Sequence, residues 1–378
     1  MTALLLHIGS PKAGSSAIQT SLAQAAAELQ KRYGLLVLPP NPYRRSFPSG
    51  FLAACHLPQQ ELPRYLGVRQ RQDPQQFQRD LEAYQQLLAD LLRLGKPAHV
   101  RPWKARLQRL AADQLRRSAH AALVSSEYLM RLSLVEIYRL RQWFEELGIR
   151  RFRVVAYVRE PVSAYASFLQ QWLRLSDALE SYDPTIWKYR FREQLQAWSA
   201  VFSTEELVVR SFRRDALQGG SVVSDFYGQC SRFFGCSITG PEPQAVNESL
   251  SIEALTLVQD LIAAVPAECR LQASWTSGMS KFLRLLRQEA AALPCEPVQL
   301  QSWVSRLVWE RHQQDLEWLK QTHGIEFDAP DLQQGWGERP AEGLTLSLKD
   351  LLVPLRDAQL VEQLKQKQLE AVVREGLR

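Results

Sequence analysis

Cysteine is scarce and unpaired in this chain. Five cysteines (Cys55, Cys230, Cys236, Cys269 and Cys295) are spread over 378 residues. The count is odd, no short spacing recurs, and Cys230 and Cys236 are too far apart for a metal knuckle, with no histidine cluster beside them. This pattern excludes a disulfide scaffold, and a reducing, cytoplasmic compartment is the expectation. Long apolar runs are missing too. The N-terminal run "ALLLHI" is short and has no basic segment before it, so it is taken as a strand and not as a signal peptide. Nothing approaches the length of a membrane-crossing helix. Internal repeats, low-complexity tracts and basic runs interleaved with aromatics are absent, so no nucleic-acid partner is expected. No metal-ligand constellation stands out, and no metal is expected.

What is present suits a large folded protein. The chain is 46% hydrophobic and 23% charged, enough for a sizeable core. Its formal net charge is +6, and the excess is mostly arginine. Arginine forks match phosphate and sulfate geometry, so an anionic ligand is the sharper expectation and a solvated basic face the plainer one.

Strand-like and helix-like segments alternate along the first 250 residues. Strands are expected at "ALLLHIG", "GLLVLPP", "AALVSSEYL", "FRVVAYVREP" and "ELVVRSF", the fourth of these being the most apolar and expected at the centre. Helices are expected at 15–33 (stopped by Gly34), 74–94, 103–120, 133–147 (stopped by Gly148), 162–176, 184–200 and across "SVVSDFYGQCSRFFG". Such alternation predicts an α/β fold, a parallel sheet wrapped by helices. The expectation is one domain over 1–378, with a helical insertion at about 45–120 and a helical C-terminal region at about 250–378. The last stretch, from "LKDLLVPLRD" onward, is an amphipathic, charged helix suited to packing or to homo-oligomer formation.

The segment "LLLHIGSPKAGSSAIQTSLAQ" carries the chemistry. A strand, a glycine-containing loop and a helix N-terminus make an anion site, because the first amides of a helix are unpaired and its dipole favours negative charge. Gly9 and Gly14 let the backbone approach a ligand, Lys12 adds a point charge, and Ser15 and Ser16 add hydroxyls. The spacing of the glycines is that of the P-loop, GxxxxGK(S/T), but no lysine follows Gly14; it stands inside the loop as Lys12. Three strands later, "YVREPVSAYAS" puts Arg159 at a strand end and Ser167 eight residues on. Pro161 there also suits a helix start.

Pro11-Lys12-Ala13-Gly14-Ser15-Ser16 resembles the "PKSGTT" loop of sulfotransferases, and Arg159 with Ser167 resembles that family's second signature. The resemblance covers roughly residues 3–250, and similar sequences are bacterial. It implies a P-loop-like sulfotransferase fold and a donor, 3′-phosphoadenosine 5′-phosphosulfate (PAPS), which leaves as adenosine 3′,5′-bisphosphate. Pro11, Lys12, Ala13, Gly14, Ser15 and Ser16 would hold the 5′-phosphosulfate, and Arg159 and Ser167 the 3′-phosphate. Lys12 would neutralise the leaving oxygen. The family's Arg-Lys-Gly loop near the C-terminus is not recognisable here.

The acceptor, a hydroxyl or amine on a glycan or a bacterial metabolite, needs a general base. Glu127 in "LVSSEYL" is the first candidate and His56 in "FLAACHLP" the second. The plainer role for Glu127 is helix capping, and for His7 a hydrogen-bonded place in the core. Asn247, Ser249 and Ser251 fit a helix cap before "IEALTLVQDL". A P-loop kinase, or a non-catalytic module on the same fold, stays open as the alternative.

Overall fold

The protein is described by a computed structural model over residues 2–37, 121–127, 129–146, 148–174, 179, 182–243, 249–264, 273–329, 347–353 and 357–376. The expected helices at 74–94 and 103–120, the insertion at 45–120, His56 and Asn247 lie outside these residues. Strands β1 (Thr2–His7), β2 (Leu35–Val37), β3 (Ala121–Ser125), β4 (Ile149–Val158) and β5 (Leu207–Ser211) form one parallel sheet in the order β2-β3-β1-β4-β5. The fold class is therefore the one the alternation of segments predicts. Contrary to the apolar ranking, β1 holds the centre and β4 lies beside it, paired with both β1 and β5. Both strands have neighbours on each edge, which explains why both are nearly continuous apolar runs.

The helices follow as α1 (Ser15–Tyr33), α2 (Leu134–Glu146), α3 (Pro161–Leu173), α4 (Phe191–Ser199), α5 (Val222–Phe234), α6 (Ile252–Ala264), α7 (Ala273–Ala290), α8 (Ser302–His323), α9 (Leu348–Leu351) and α10 (Ala358–Gly376). Alternate strand residues feed opposite layers. Leu4, Leu6, Val154 and Ala156 pack with Phe144 of α2 and Leu195 and Trp198 of α4. Leu5, Val155 and Tyr157 pack with Ile18 and Leu22 of α1 and Val223 and Phe226 of α5. A third cluster joins α3 to the helices beyond residue 250.

Two expected helices differ. The helix expected at 184–200 begins only at Phe191. Asp183 accepts from the amide and hydroxyl of Thr185 at 2.7 and 2.6 Å, closing a local turn ahead of it. The C-terminal amphipathic stretch, expected as one helix, is divided into α9 and α10. On α10, Leu360, Val361 and Leu364 are buried against the chain's own helices, so this part of its apolar face is used within the fold. No helix among the described residues is long and apolar enough to cross a membrane.

His7 takes the plainer of its roles. It is fully buried, its Nδ1 lies 2.7 Å from Ser125 Oγ, and its ring meets Tyr157 and Phe226 edge to face. Burial holds its pKa down to about 3, so it stays neutral. The Ser125 hydroxyl is engaged in this contact.

One buried charge pins α5 to the sheet. Asp225 accepts from Tyr157 Oη at 2.8 Å and from Arg210 Nη2 at 2.7 Å. Arg210 and the Tyr157 hydroxyl favour the carboxylate, so its pKa lies below the ordinary value although burial opposes this. Asp225→Ala strands Arg210 and is expected to cost about 3–5 kcal/mol in urea unfolding. Because the folded pKa is the lower one, this stabilisation is present above the ordinary carboxylate range. It is lost as pH falls through the folded value, so wild type and variant converge in strong acid.

Candidate active site

The crevice for a ligand lies at the C-terminal ends of β1 and β4. The chain leaving β1 runs to β2 on one side of the sheet, and the chain leaving β4 runs to β5 on the other. Open α/β sheets take ligands where adjacent strands part in this way. The loop after β1 is tightly wound. Gly9, Lys12 and Gly14 all have left-handed backbones, with φ of 66°, 67° and 81°. A Cβ on Gly14 would stand 2.7 Å from Val222 Cγ1 and 2.8 Å from Phe212 Cε2, so only glycine fits. Lys12 is the one non-glycine residue of this kind among the described residues, at a strain of about 1–2 kcal/mol.

The N-terminus of α1 is left bare. Its N-cap is Gly14, with no side chain to cap it and no acid in the first turn. By contrast, α3 is capped by Glu160 and α5 by Ser221. Ser15 Oγ is buried and has no hydrogen-bond partner among the described residues, while Ser16 is exposed. Uncapped amides and an orphaned hydroxyl at one point call for a partner from outside the described residues.

Two strand ends and Tyr189 supply the surroundings. From β4, Arg159 Nη1 donates to the Lys12 carbonyl at 3.1 Å, and its Nε donates to Ser163 Oγ at 3.1 Å. Ser163, and not Ser167, is thus the hydroxyl bonded to Arg159. Ser167 stands one turn farther along the same face of α3. From β3, Glu127 presses against the loop, for a Cβ on Gly9 would lie 2.8 Å from its Cα. Its Oε2 accepts from Gln19 Nε2 of α1 at 2.8 Å. Behind the loop, the Tyr189 hydroxyl meets Ser10 Oγ and accepts from the Arg159 amide at 3.4 Å. Tyr189 is held in turn by its own amide, which donates to His312 Nε2 at 3.0 Å.

Cations crowd this crevice. Lys12 is held down to about 8 by burial, then by Arg174 and Arg159, with Glu127 opposing them. Burial, and then Arg287, hold Arg174 down to about 10. Arginines keep their protons at such values, so the repulsion is relieved by a bound anion or by proton loss at Lys12. Arg174, Arg287, Tyr189 and Ser163 were not singled out by sequence pattern. Arg174 and Arg287 come from α3's C-terminus and α7, 113 residues apart in the numbering, and no local spacing links them to the loop. Ser163 had a local signal, its i+4 position from Arg159.

Fold and site together define an α/β protein in which the uncapped start of α1, Lys12 and Arg159 meet at the C-terminal ends of β1 and β4. No family model and no curated protein matches the chain. Among solved structures, a sulfotransferase from Alicyclobacillus acidocaldarius is similar at 15% identity and a TM-score of 0.34, over 73% of this chain and 98% of that chain.

Lys12 sets a pH signature for the crevice. A bound anion raises its pKa back toward the ordinary value, so binding above about pH 8 must take up a proton. Affinity for adenosine 3′,5′-bisphosphate is expected to be level near pH 7. It should weaken as pH rises through about 8, approaching about tenfold per unit. Lys12→Arg, which cannot lose its proton, is expected to flatten the profile in calorimetry between pH 7 and 9.5.

Proposed function

We propose that the protein is a sulfotransferase that moves the sulfuryl group of PAPS to a hydroxyl or amine of an acceptor molecule. The observation that carries this reading is the bare N-terminus of α1, with the buried, unpartnered Ser15 hydroxyl, facing Lys12 and Arg159. Those groups suit a nucleotide's 5′-phosphosulfate. The resemblance of the Lys12 loop and the Arg159 segment to the sulfotransferase signatures supplies the specific donor. The position of Lys12 within the loop separates this pattern from that of a P-loop kinase.

In the proposed reaction the bond between sulfur and the bridging phosphate oxygen breaks, and its electron pair stays on the departing bisphosphate. A new bond forms between sulfur and the acceptor oxygen or nitrogen. The acceptor's proton passes to a base, for which Glu127 is the residue beside the loop. Lys12 would meet the charge that grows on the bridging oxygen, and the amides of Gly14, Ser15 and Ser16 would hold the 5′-phosphate. Stabilisation of this kind, on charge developing during transfer, is worth more to rate than to binding. Arg159 has two duties in this scheme: it braces the loop through the Lys12 carbonyl, and its remaining donors are available to the 3′-phosphate. A hydroxylated acceptor such as a glycan is part of the proposal, as is use of the enzyme in the cytoplasm.

Two measurements test it. Wild type should bind adenosine 3′,5′-bisphosphate more than about tenfold tighter than 5′-AMP, since a charge-assisted contact to the extra phosphate contributes about 1.5–3 kcal/mol. Arg159→Ala should weaken both nucleotides, because the loop loses its brace, and should weaken the bisphosphate more. Equal binding of the two nucleotides by wild type, with tighter binding of ATP, would return a nucleotide kinase to the front. In transfer assays with labelled PAPS, Glu127→Gln should slow turnover by about a hundredfold or more at nearly unchanged donor affinity. Lys12→Ala should lower the rate far more than donor binding, and an equal loss in both would refute its catalytic role.

A further inference from the structure

Glu127 has one carboxylate oxygen held and one left open. It follows β3, and the chain there is fixed beside β1, for the Ser126 amide donates to the His7 carbonyl at 2.8 Å. A fixed backbone does not by itself aim a glutamate, whose side chain has several rotatable bonds of its own. Gln19 supplies the aim. Its Nε2 donates to Glu127 Oε2 at 2.8 Å, while Glu127 Oε1 makes no hydrogen bond among the described residues. Gln19 itself is held steady, because Ile18 before it and Leu22 after it are buried in the core that packs α1 on the sheet.

The pair stands at the point of transfer. Gln19 lies one turn beyond Ser15 on the same face of α1. A Cβ on Gly9 would meet Ser15 Oγ at 2.8 Å, Glu127 Cα at 2.8 Å and Glu127 Cβ at 3.0 Å. The unpartnered Ser15 hydroxyl and Glu127 therefore flank the same glycine, and that hydroxyl marks the bare start of α1. A proton acceptor this near the moving group helps only when its free oxygen points the right way. The choice of glutamine fits that duty. A lysine or arginine in its place would grip the carboxylate more tightly and weaken it as a proton acceptor, whereas a neutral amide orients it and leaves its charge in place.

We propose that Gln19 is a positioning residue for the transfer step, its amide fixing the Glu127 carboxylate so that Oε1 takes the proton of the attacking acceptor. This rests on the sulfuryl-transfer reading above and adds a residue to it. The acceptor oxygen bonds to sulfur, the bridging oxygen leaves with its electron pair, and the acceptor's proton moves to Oε1. Gln19 neither gains nor loses a proton. The test uses water as the acceptor. Sulfate release from labelled PAPS is followed in single turnovers with protein in excess, and affinity for adenosine 3′,5′-bisphosphate is read by calorimetry. Gln19→Met keeps the volume and drops the donor, and Gln19→Ala is the second variant. Each should slow release by about tenfold or more. Bisphosphate affinity should stay within about twofold of wild type, which also reports that the variants fold. In protein already carrying Glu127→Gln, the same substitutions should change the rate by less than about twofold, because the residue they act through is gone. Wild-type rates in both variants overturn the inference. So does an equal slowing with and without Glu127→Gln, or a loss of bisphosphate affinity that matches the loss of rate, which would assign Gln19 to the nucleotide's seat. Wild type that binds the bisphosphate yet releases no sulfate overturns it as well. Wild type that fails to bind the bisphosphate sinks the transfer reading itself, and is thereby told apart from these results.

Discussion

The hydrogen bond from Arg159 to the carbonyl of Lys12 holds the site together. It joins the loops after β1 and β4 at the one place where the chain diverges to opposite sides of the sheet. The bond also accounts for a backbone that lysine does not choose. A left-handed Lys12 costs about 1–2 kcal/mol, and a hydrogen bond from a charged donor contributes about 1.5–3 kcal/mol, so the two nearly cancel. Tyr189 adds a second brace, touching Ser10 in one loop and the Arg159 amide at the root of the other. The result is a site whose shape is set before a ligand arrives, and whose unpaired groups are the ones a ligand would satisfy.

That arrangement carries a cost which the protein distributes unevenly. Arginine holds its proton under crowding, while lysine yields, so repulsion among Arg159, Arg174 and Lys12 falls on Lys12. Glu127 offsets part of it and is itself steadied by Gln19. A lysine poised in this way stabilises a growing negative charge more than an existing ion pair would, because its compensation is incomplete until that charge appears.

What could be read from the sequence was local. The apolar run of β1, the two glycines of the loop and the Gly34 stop of α1 each act on their nearest neighbours, and the helix stands at 15–33 as its pattern says. The same holds for the end of α5 at Gly235 and for Arg159 at the end of β4. Arg159 bonds Ser163, which shares a face with Ser167 one helical turn on, and only packing chooses its partner. Residues brought from distant segments were not legible at all. Tyr189 lies inside the stretch expected to be helical at 184–200, ahead of where the helix begins, and Arg287 sits on a helix whose spacing says only that one side is apolar. The central place of β1 was hidden for a related reason: β4 is longer and its run Val154–Val158 is wholly buried, but sheet order depends on crossovers and not on hydropathy.

The central position of β1 has a consequence for the order in which the molecule comes into being. The His7 ring is paired with Ser125, 118 residues later, and the Lys12 carbonyl with Arg159, 147 residues later. At ribosomal rates of about 5–20 residues per second, the first strand waits roughly 6–24 s before β3 exists, and longer for β4. During that interval its apolar side chains have α1 and β2 for cover but no partner along either edge. Parallel pairing across such separations is also slow by its topology, since the loops must close before the ladders form. The nascent N-terminal segment is therefore the part of the chain most in need of protection during synthesis, and the crevice is complete only after β4 has docked.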